Sequence, residues 1–241
     1  MKLHGKRKKI RQRPADPAAQ MAFSWEAHRG TRWPDFINAP SNAAARKWLA
    51  QTGWPERRLL LWGPEATGKT HLLHDWARRR HGKIITARMI DPARIDDSQL
   101  WAIDQLEQGF DPVALLHFIN AAREGGRIIL FASRVPPSTL PTNLPDLSSR
   151  LRAMTAIEVR PAEDDLRVKL VIQWLAMRQI CIAQDVATWL VHRLPRTNAA
   201  LMATVARLDT ASLESKRALT RAFITEILPE LSQVDGEELP V

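Results

Sequence analysis

A single cysteine, Cys181, stands in 241 residues. That scarcity excludes an internal disulfide and a thiolate metal cluster, and it points to a reducing, intracellular address. No apolar run approaches the ~18 residues a bilayer span requires, which argues against a membrane protein. The opening residues lack the apolar stretch and small-residue cleavage site of a secretory signal, so a cytoplasmic location is expected. Tyrosine is absent, whereas tryptophan occurs nine times. Trp62, Trp101, Trp174 and Trp189 lie within periodic apolar runs and read as core rather than as base-stacking platforms. Internal repeats and low-complexity tracts are also missing. What is present is 45% hydrophobic, enough to build one large or two small domains, which excludes disorder and a stapled mini-protein.

Acidic residues are missing from the first fourteen positions, which hold Lys2, Lys6, Arg7, Lys8, Lys9, Arg11 and Arg13. Most of the net charge of +9 therefore sits in this leader, and the remaining body is close to neutral. Like charges repel and resist folding, and such a tail can contact nucleic acid weakly and without sequence preference through counterion release. A solubilising extension is the bland alternative.

Beyond a Pro-containing linker at 14–19, two regimes follow. Short apolar runs at 58–62, 83–87, 99–104, 127–133 and 156–160 alternate with helical patterns, which predicts an α/β fold with five parallel strands and crossover helices. After Pro161 the pattern turns helical, with amphipathic spacing over 164–179, 186–194, 199–208 and 213–228, as in a small all-α domain. The expected organisation is a basic leader (1–19), a short peptide (20–25), an α/β domain (26–160), a helical domain (161–231) and a frayed acidic tail (232–241).

Gly63, Pro64, Glu65, Ala66, Thr67, Gly68, Lys69 and Thr70 match the phosphate-binding P-loop pattern at every required position. An apolar run precedes them and helical spacing follows, so the loop joins a strand to a helix as the chemistry demands. Glycines let backbone N–H groups turn inward as an anion nest, and the helix start adds partial positive charge. Lys69 is expected to reach the β- and γ-phosphates of ATP or ADP, and the Thr70 hydroxyl to complete a Mg²⁺ shell. Asp104, ending the run Leu100-Trp101-Ala102-Ile103-Asp104, is the candidate metal-side acid; the alternative is a simple turn cap. The next residue is Gln105, which cannot act as a base, and Glu107 stands three positions beyond Asp104, so autonomous hydrolysis is expected to be weak. Trp33 and Trp54 flank turns near this segment, and adenine contact is left open for them.

Several segments together resemble the Hda (HdaA) family, the AAA+ regulators related to the bacterial replication initiator DnaA. The resemblance rests on Trp33-Pro34-Asp35-Phe36-Ile37-Asn38-Ala39-Pro40-Ser41-Asn42, the P-loop, Ile103-Asp104, Phe131-Ala132-Ser133-Arg134-Val135-Pro136-Pro137 and Leu147-Ser148-Ser149-Arg150-Leu151. Leu208-Asp209-Thr210-Ala211-Ser212 and Lys216-Arg217-Ala218-Leu219-Thr220 resemble the closing helices of Hda-type lids. It implies a P-loop AAA+ module with a helical lid. It further implies that Arg150 is an arginine finger inserted in trans into the ATP site of a DnaA protomer, neutralising charge on the transferring phosphoryl group. Read alone, Arg150 is better explained as an exposed arginine in a local salt bridge.

The same resemblance makes Gln20, Met21, Phe23 and Trp25 a binding peptide for the replicative sliding clamp, the β subunit of DNA polymerase III. Phe23, Ser24 and Trp25 depart from the family's usual Leu, Pro and Leu. An extended peptide can add backbone hydrogen bonds while alternate side chains fill apolar pockets; local packing is the alternative. The initiator continues into a helix-turn-helix reader that this sequence lacks, so origin recognition is not expected. At the family's acidic sensor I position stands Arg134. At the sensor II arginine position stands Ala199, with Ser133 and Arg196 as the available substitutes. These departures favour a nucleotide-stabilised scaffold over a motor, and a homodimer is left open. The expected function is a clamp-bound adaptor that promotes hydrolysis of DnaA-bound ATP. The rivals are an ATP-driven helicase loader or DNA remodeller, and a nucleotide-bound, clamp-tethered partner without regulatory activity.

Overall fold

A computed structural model of the chain describes residues 36–51, 53–94 and 98–231. The basic leader, the peptide at 20–25, Trp33 and the residues after 231 lie outside the described residues. Five strands form one sheet: β1 (Arg58–Trp62), β2 (Lys83–Thr86), β3 (Leu100–Asp104), β4 (Ile128–Ser133) and β5 (Thr155–Glu158). Their order is β2-β3-β4-β1-β5 and every pairing is parallel. Parallel strands covered on both faces need apolar residues at consecutive positions rather than alternating ones. Leu59, Leu60 and Leu61 of β1 and Ile129, Leu130 and Phe131 of β4 meet that need, all fully buried.

Alternate strand residues feed two different layers. On one face Leu59, Leu61, Ala102, Leu130 and Ala132 pack against α1 (Ala43–Ala50) and α2 (Lys69–Arg79) through Leu49, Leu72, Leu73 and Trp76. On the other, Leu60, Ile103, Ile129 and Phe131 pack against α3 (Pro112–Glu124) and α4 (Pro145–Arg152) through Leu115, Phe118, Ile119, Leu147 and Leu151. Trp54 is buried, stacks on Trp76 with ring centroids 5.3 Å apart, and donates its indole N–H to the Trp48 carbonyl. It is therefore a core residue, not an adenine contact. Trp101 is likewise buried, set edge-on to Phe118, whereas Trp62, Trp174 and Trp189 are half-buried at the margins of their cores.

Four further helices form a separate apolar cluster: α5 (Asp164–Ala176), α6 (Gln184–Arg193), α7 (Asn198–Ser215) and α8 (Arg221–Ile227). The pattern over 213–228 reads as one helix in the sequence, but the structure divides it. Lys216 takes a left-handed conformation (φ 53°) that ends α7, and Thr220 caps α8 by accepting from the Phe223 N–H. The break lets Leu219 enter the core, where it makes an isolated parallel bridge with Ile182. Arg167 of α5 is 1% exposed; its guanidinium donates to Asp164 and to the carbonyls of Leu194 and Pro195. That ties the α6–α7 connection to α5. Among the described residues no helix is long and apolar enough to cross a membrane.

Candidate nucleotide site

The site forms at the C-terminal edge of the sheet, where ligands of open α/β folds collect. β1 ends at Trp62 and the loop from Gly63 to Gly68 follows. Two of its residues are fixed by backbone demands. Gly63 lies so close to the β5 side that a Cβ would collide with the Val159 carbonyl, and Gly68 has φ 93° while a Cβ there would touch the Phe36 ring. Only glycine adopts that backbone without strain. Gly68 then serves as the N-cap of α2 with no side-chain cap bond, which leaves the helix's first N–H groups facing the loop interior.

The Lys69 side chain, only 8% exposed, turns back into this loop. Its ammonium donates to the carbonyls of Gly63 (2.7 Å) and Pro64 (2.6 Å) and, at 3.3 Å, to the Thr67 hydroxyl. Burial pushes its pKa below the usual lysine value, against the pull of Glu107 and Asp104, while Arg134 adds to the depression. Thr70, the next residue of α2, donates its hydroxyl to Asp104 Oδ2 at 2.8 Å. Asp104 Oδ1 accepts the Gln105 N–H, and Gln105 itself is left-handed at φ 60°. Two hard oxygen donors side by side, next to a buried lysine in an inward-turned loop, fit a magnesium nucleotide, an ion that prefers few protein oxygens plus phosphates and water. Across the same helix His74 is pushed down by burial despite the counter-pull of Asp104.

Phe36, the first described residue, sets its ring edge-on to His71 at 5.2 Å and covers Gly68. Asn42 folds the same segment by donating to the Ile37 carbonyl and accepting from the Ala39 N–H, and the Ser41 carbonyl accepts from the Arg160 N–H. The described part of the Trp33–Asn42 motif thus lies against the P-loop.

Two contacts at the rim were not readable from sequence. The first is made by Arg134 at the end of β4. Its guanidinium grips Glu65 of the P-loop with two bonds (2.9 and 3.2 Å) and approaches Glu107 at 3.2 Å, while its backbone N–H also donates to Glu107 at 3.0 Å. Glu107 is therefore engaged in an ion pair rather than standing as an unencumbered base. Ser133, 1% exposed, accepts from the Val135 N–H in the turn after β4. The second contact comes from the helical domain. Asn198, at the start of α7, donates to the Ala66 carbonyl at 2.7 Å. The substitute expected from sequence, Arg196, instead pairs with Asp164 and is 84% exposed. The contact from the helical domain to the loop is thus made by a neutral amide.

Arg150 stands elsewhere. It sits in the last turn of α4 and pairs with Asp146 one turn back, at 3.0 and 3.2 Å. Its side chain is 24% exposed and Asp146 is 59% exposed, so this is a surface pair worth at most ~0.5 kcal/mol. The buried guanidinium of Arg58, the first residue of β1, is depressed chiefly by burial, against Glu56, with Arg150 and Arg123 adding like charge. α4 leads into β5, whose first residue, Thr155, lies beside Leu59 near the start of β1, so Arg150 stands toward that end of the sheet, while the chain's own P-loop follows the other end of β1, about 15 Å along the strand.

Residues 164–228 match the family model described as the Hda lid domain. An uncharacterized protein of Haemophilus influenzae is 27% identical over 184 residues, covering 70% of this chain and 80% of the relative. Domain III of the replication initiation protein DnaA from Thermotoga maritima superposes with a TM-score of 0.69 at 16% identity, over 81% of this chain and 94% of that one. AMPPCP-bound DnaA from Aquifex aeolicus gives 0.59 at 18% identity, over 75% of this chain and 66% of that one. At such identities the likeness to the solved structures is one of fold: the α/β part and its helices have the AAA+ build of DnaA, and the helices after Pro161 are an Hda-type lid.

Proposed function

We propose that this Hda-like AAA+ protein is a DnaA-related regulator of replication initiation. Its own P-loop holds ADP or ATP with Mg²⁺, and its Arg150 acts on a neighbour. Within the chain, Lys69 binds and orients the phosphates, Thr70 and Asp104 supply oxygens to the metal, and Asn198 ties lid to loop. The nucleotide neutralises the cationic nest and joins the two lobes, which stabilises the two-domain arrangement by mass action. Self-hydrolysis is weak, because Gln105 follows Asp104 and Glu107 is engaged by Arg134.

The observation that carries this reading is the position of Arg150. It is partly exposed, paired weakly with Asp146, and set where α4 leads into β5, toward the start of β1 and away from the strand end that carries the chain's own P-loop. A guanidinium so placed does nothing for its own nucleotide, but it suits the phosphate site of an adjoining protomer, here DnaA. Cations supplied in trans accelerate phosphoryl transfer by roughly 10³–10⁵ in nucleotide hydrolases. Gln20, Met21, Phe23 and Trp25 are the proposed tether to the sliding clamp, and the basic leader adds weak DNA contact.

Reconstitution tests the proposal. DnaA loaded with ATP is incubated with clamp on DNA, with and without this protein, and conversion to ADP is followed. Accelerated conversion that depends on clamp and is diminished by Phe23→Ala is expected. Conversion that proceeds at the same rate with and without the protein would refute it.

A further inference from the structure

The sequence from Phe36 to Pro55 holds no acidic residue, and between Glu65 and Asp91 the only one is Asp75. In the structure these two stretches meet. Arg80, at the end of α2, donates to the Leu49 carbonyl of α1 at 3.2 Å, and Trp54 reaches the Trp48 carbonyl while stacking on Trp76. The last turns of both helices and the start of β2 therefore share one edge, which carries Lys47, Arg78, Arg79, Arg80, His81 and Lys83. Arg80 is fixed over the Trp76 ring, and the other five are exposed. Asp75 is shared between Arg78 and Arg79 at 3.1 and 2.8 Å, so it balances one of the two. This edge lies at the end of α2 away from the phosphate loop, about 16 Å along the helix.

The run Arg78-Arg79-Arg80-His81-Gly82-Lys83 is held in a closed helix end. The His81 N–H donates to the Arg78 carbonyl at 3.4 Å and the Gly82 N–H to the Ala77 carbonyl at 2.8 Å. In this closing pattern the left-handed residue is ordinarily glycine, yet here it is His81 at φ 55°. Cations in a last turn complement the helix dipole, but that accounts neither for Lys83, which opens a strand, nor for the missing acids. Short runs rich in arginine and lysine suit phosphate polymers. Trp54 and Trp76 beneath the edge are buried, so they are core and not stacking platforms for unpaired bases, which favours a duplex over a single strand. We propose that this edge is a nucleic-acid surface of the folded body, which grips the phosphate backbone of duplex DNA without reading its sequence. It is separate in sequence from the basic leader, and it uses neither the nucleotide site nor Arg150.

The test follows the fluorescence anisotropy of a labelled duplex of arbitrary sequence, and of its single strand, between about 50 and 200 mM salt. The protein is the full chain, natural and with the leader cations from Lys2 to Arg13 changed to Gln, so that the contribution of the folded body stands by itself. Salt-dependent duplex binding is expected to persist in the leader-neutralised chain. Adding Arg78→Gln, Arg79→Gln and Lys83→Gln is expected to flatten the slope of log affinity against log salt by about two to three, since each lost phosphate contact is worth roughly 0.9. Asp75→Asn, which removes the shared counter-charge, is expected to tighten binding, a gain that a misfolded variant would not give. A charge-matched change in the helical domain, Arg207→Gln with Arg217→Gln and Arg221→Gln, is expected to leave the slope unaltered. An unchanged slope in the Arg78, Arg79 and Lys83 variant, an equal fall in the helical-domain control, loss of all salt-dependent binding with the leader charges, or tighter binding of the single strand than of the duplex would each overturn the proposal.

Discussion

At the scale of single residues, the site is organised by burial of charge. Lys69 is taken out of water and held by three oxygens of its own loop, which keeps a cation poised where phosphate arrives. Lys69→Ala is therefore expected to abolish ADP and ATP binding in calorimetry while the fold persists, since the removed side chain serves no apolar core. His74 supplies a pH dependence. Burial holds its pKa below the ordinary histidine value, so the unfolded chain binds the proton more readily than the folded one. Stability is then intact above about pH 6.5 and is lost as pH falls from there toward the depressed folded value. Denaturant unfolding between pH 7 and 5 should show a slope reduced in His74→Gln by up to one proton, about 1.4 kcal/mol per pH unit. An identical slope in both chains would show that His74 carries none of it.

At the scale of elements, the P-loop was legible because its chemistry is local. Strand, glycines, lysine and threonine follow one another, and Gly63 and Gly68 are demanded by backbone geometry within six residues. The five strands were legible for a related reason: burial on both faces writes itself as continuous runs, and each expected strand overlaps an observed one. Contacts across long separations were not. Glu65 meets Arg134, and Ala66 meets Asn198, only because β4 ends and α7 begins beside the loop, and no periodicity encodes that. The division of 213–228 was hidden because periodicity cannot distinguish a helix from two helices joined by a left-handed residue. The clue is the buried Leu219, whose pairing with Ile182 is tertiary. Because a lysine pays a steric penalty at φ 53°, Lys216→Gly should stabilise the lid by about 0.5–1 kcal/mol in thermal unfolding. A loss instead would mean that the side chain, not the turn, holds that corner.

At the scale of the whole molecule, the chain pairs an AAA+ fold with helices that resemble the Hda lid, and the arginines at the ends of β4 and α4 stand at different places on it. Arg134 looks inward, onto the chain's own P-loop; Arg150 lies toward the other edge of the sheet. The proposed role depends on the second. Because its pair with Asp146 is worth so little, removal of Arg150 should leave stability within about 0.5 kcal/mol of the natural chain. Function and fold are thereby separable at this residue, which a buried cation such as Arg167 would not permit.

The most direct measurement is the rate at which DnaA-bound ATP is hydrolysed in the presence of clamp on DNA and either the natural chain or Arg150→Ala, with melting temperatures recorded alongside. Loss of the stimulated rate by a factor on the order of 10³, with melting unchanged and clamp binding retained, is the expected result. Full stimulation by Arg150→Ala would contradict the claim that this guanidinium acts across the boundary between the two proteins.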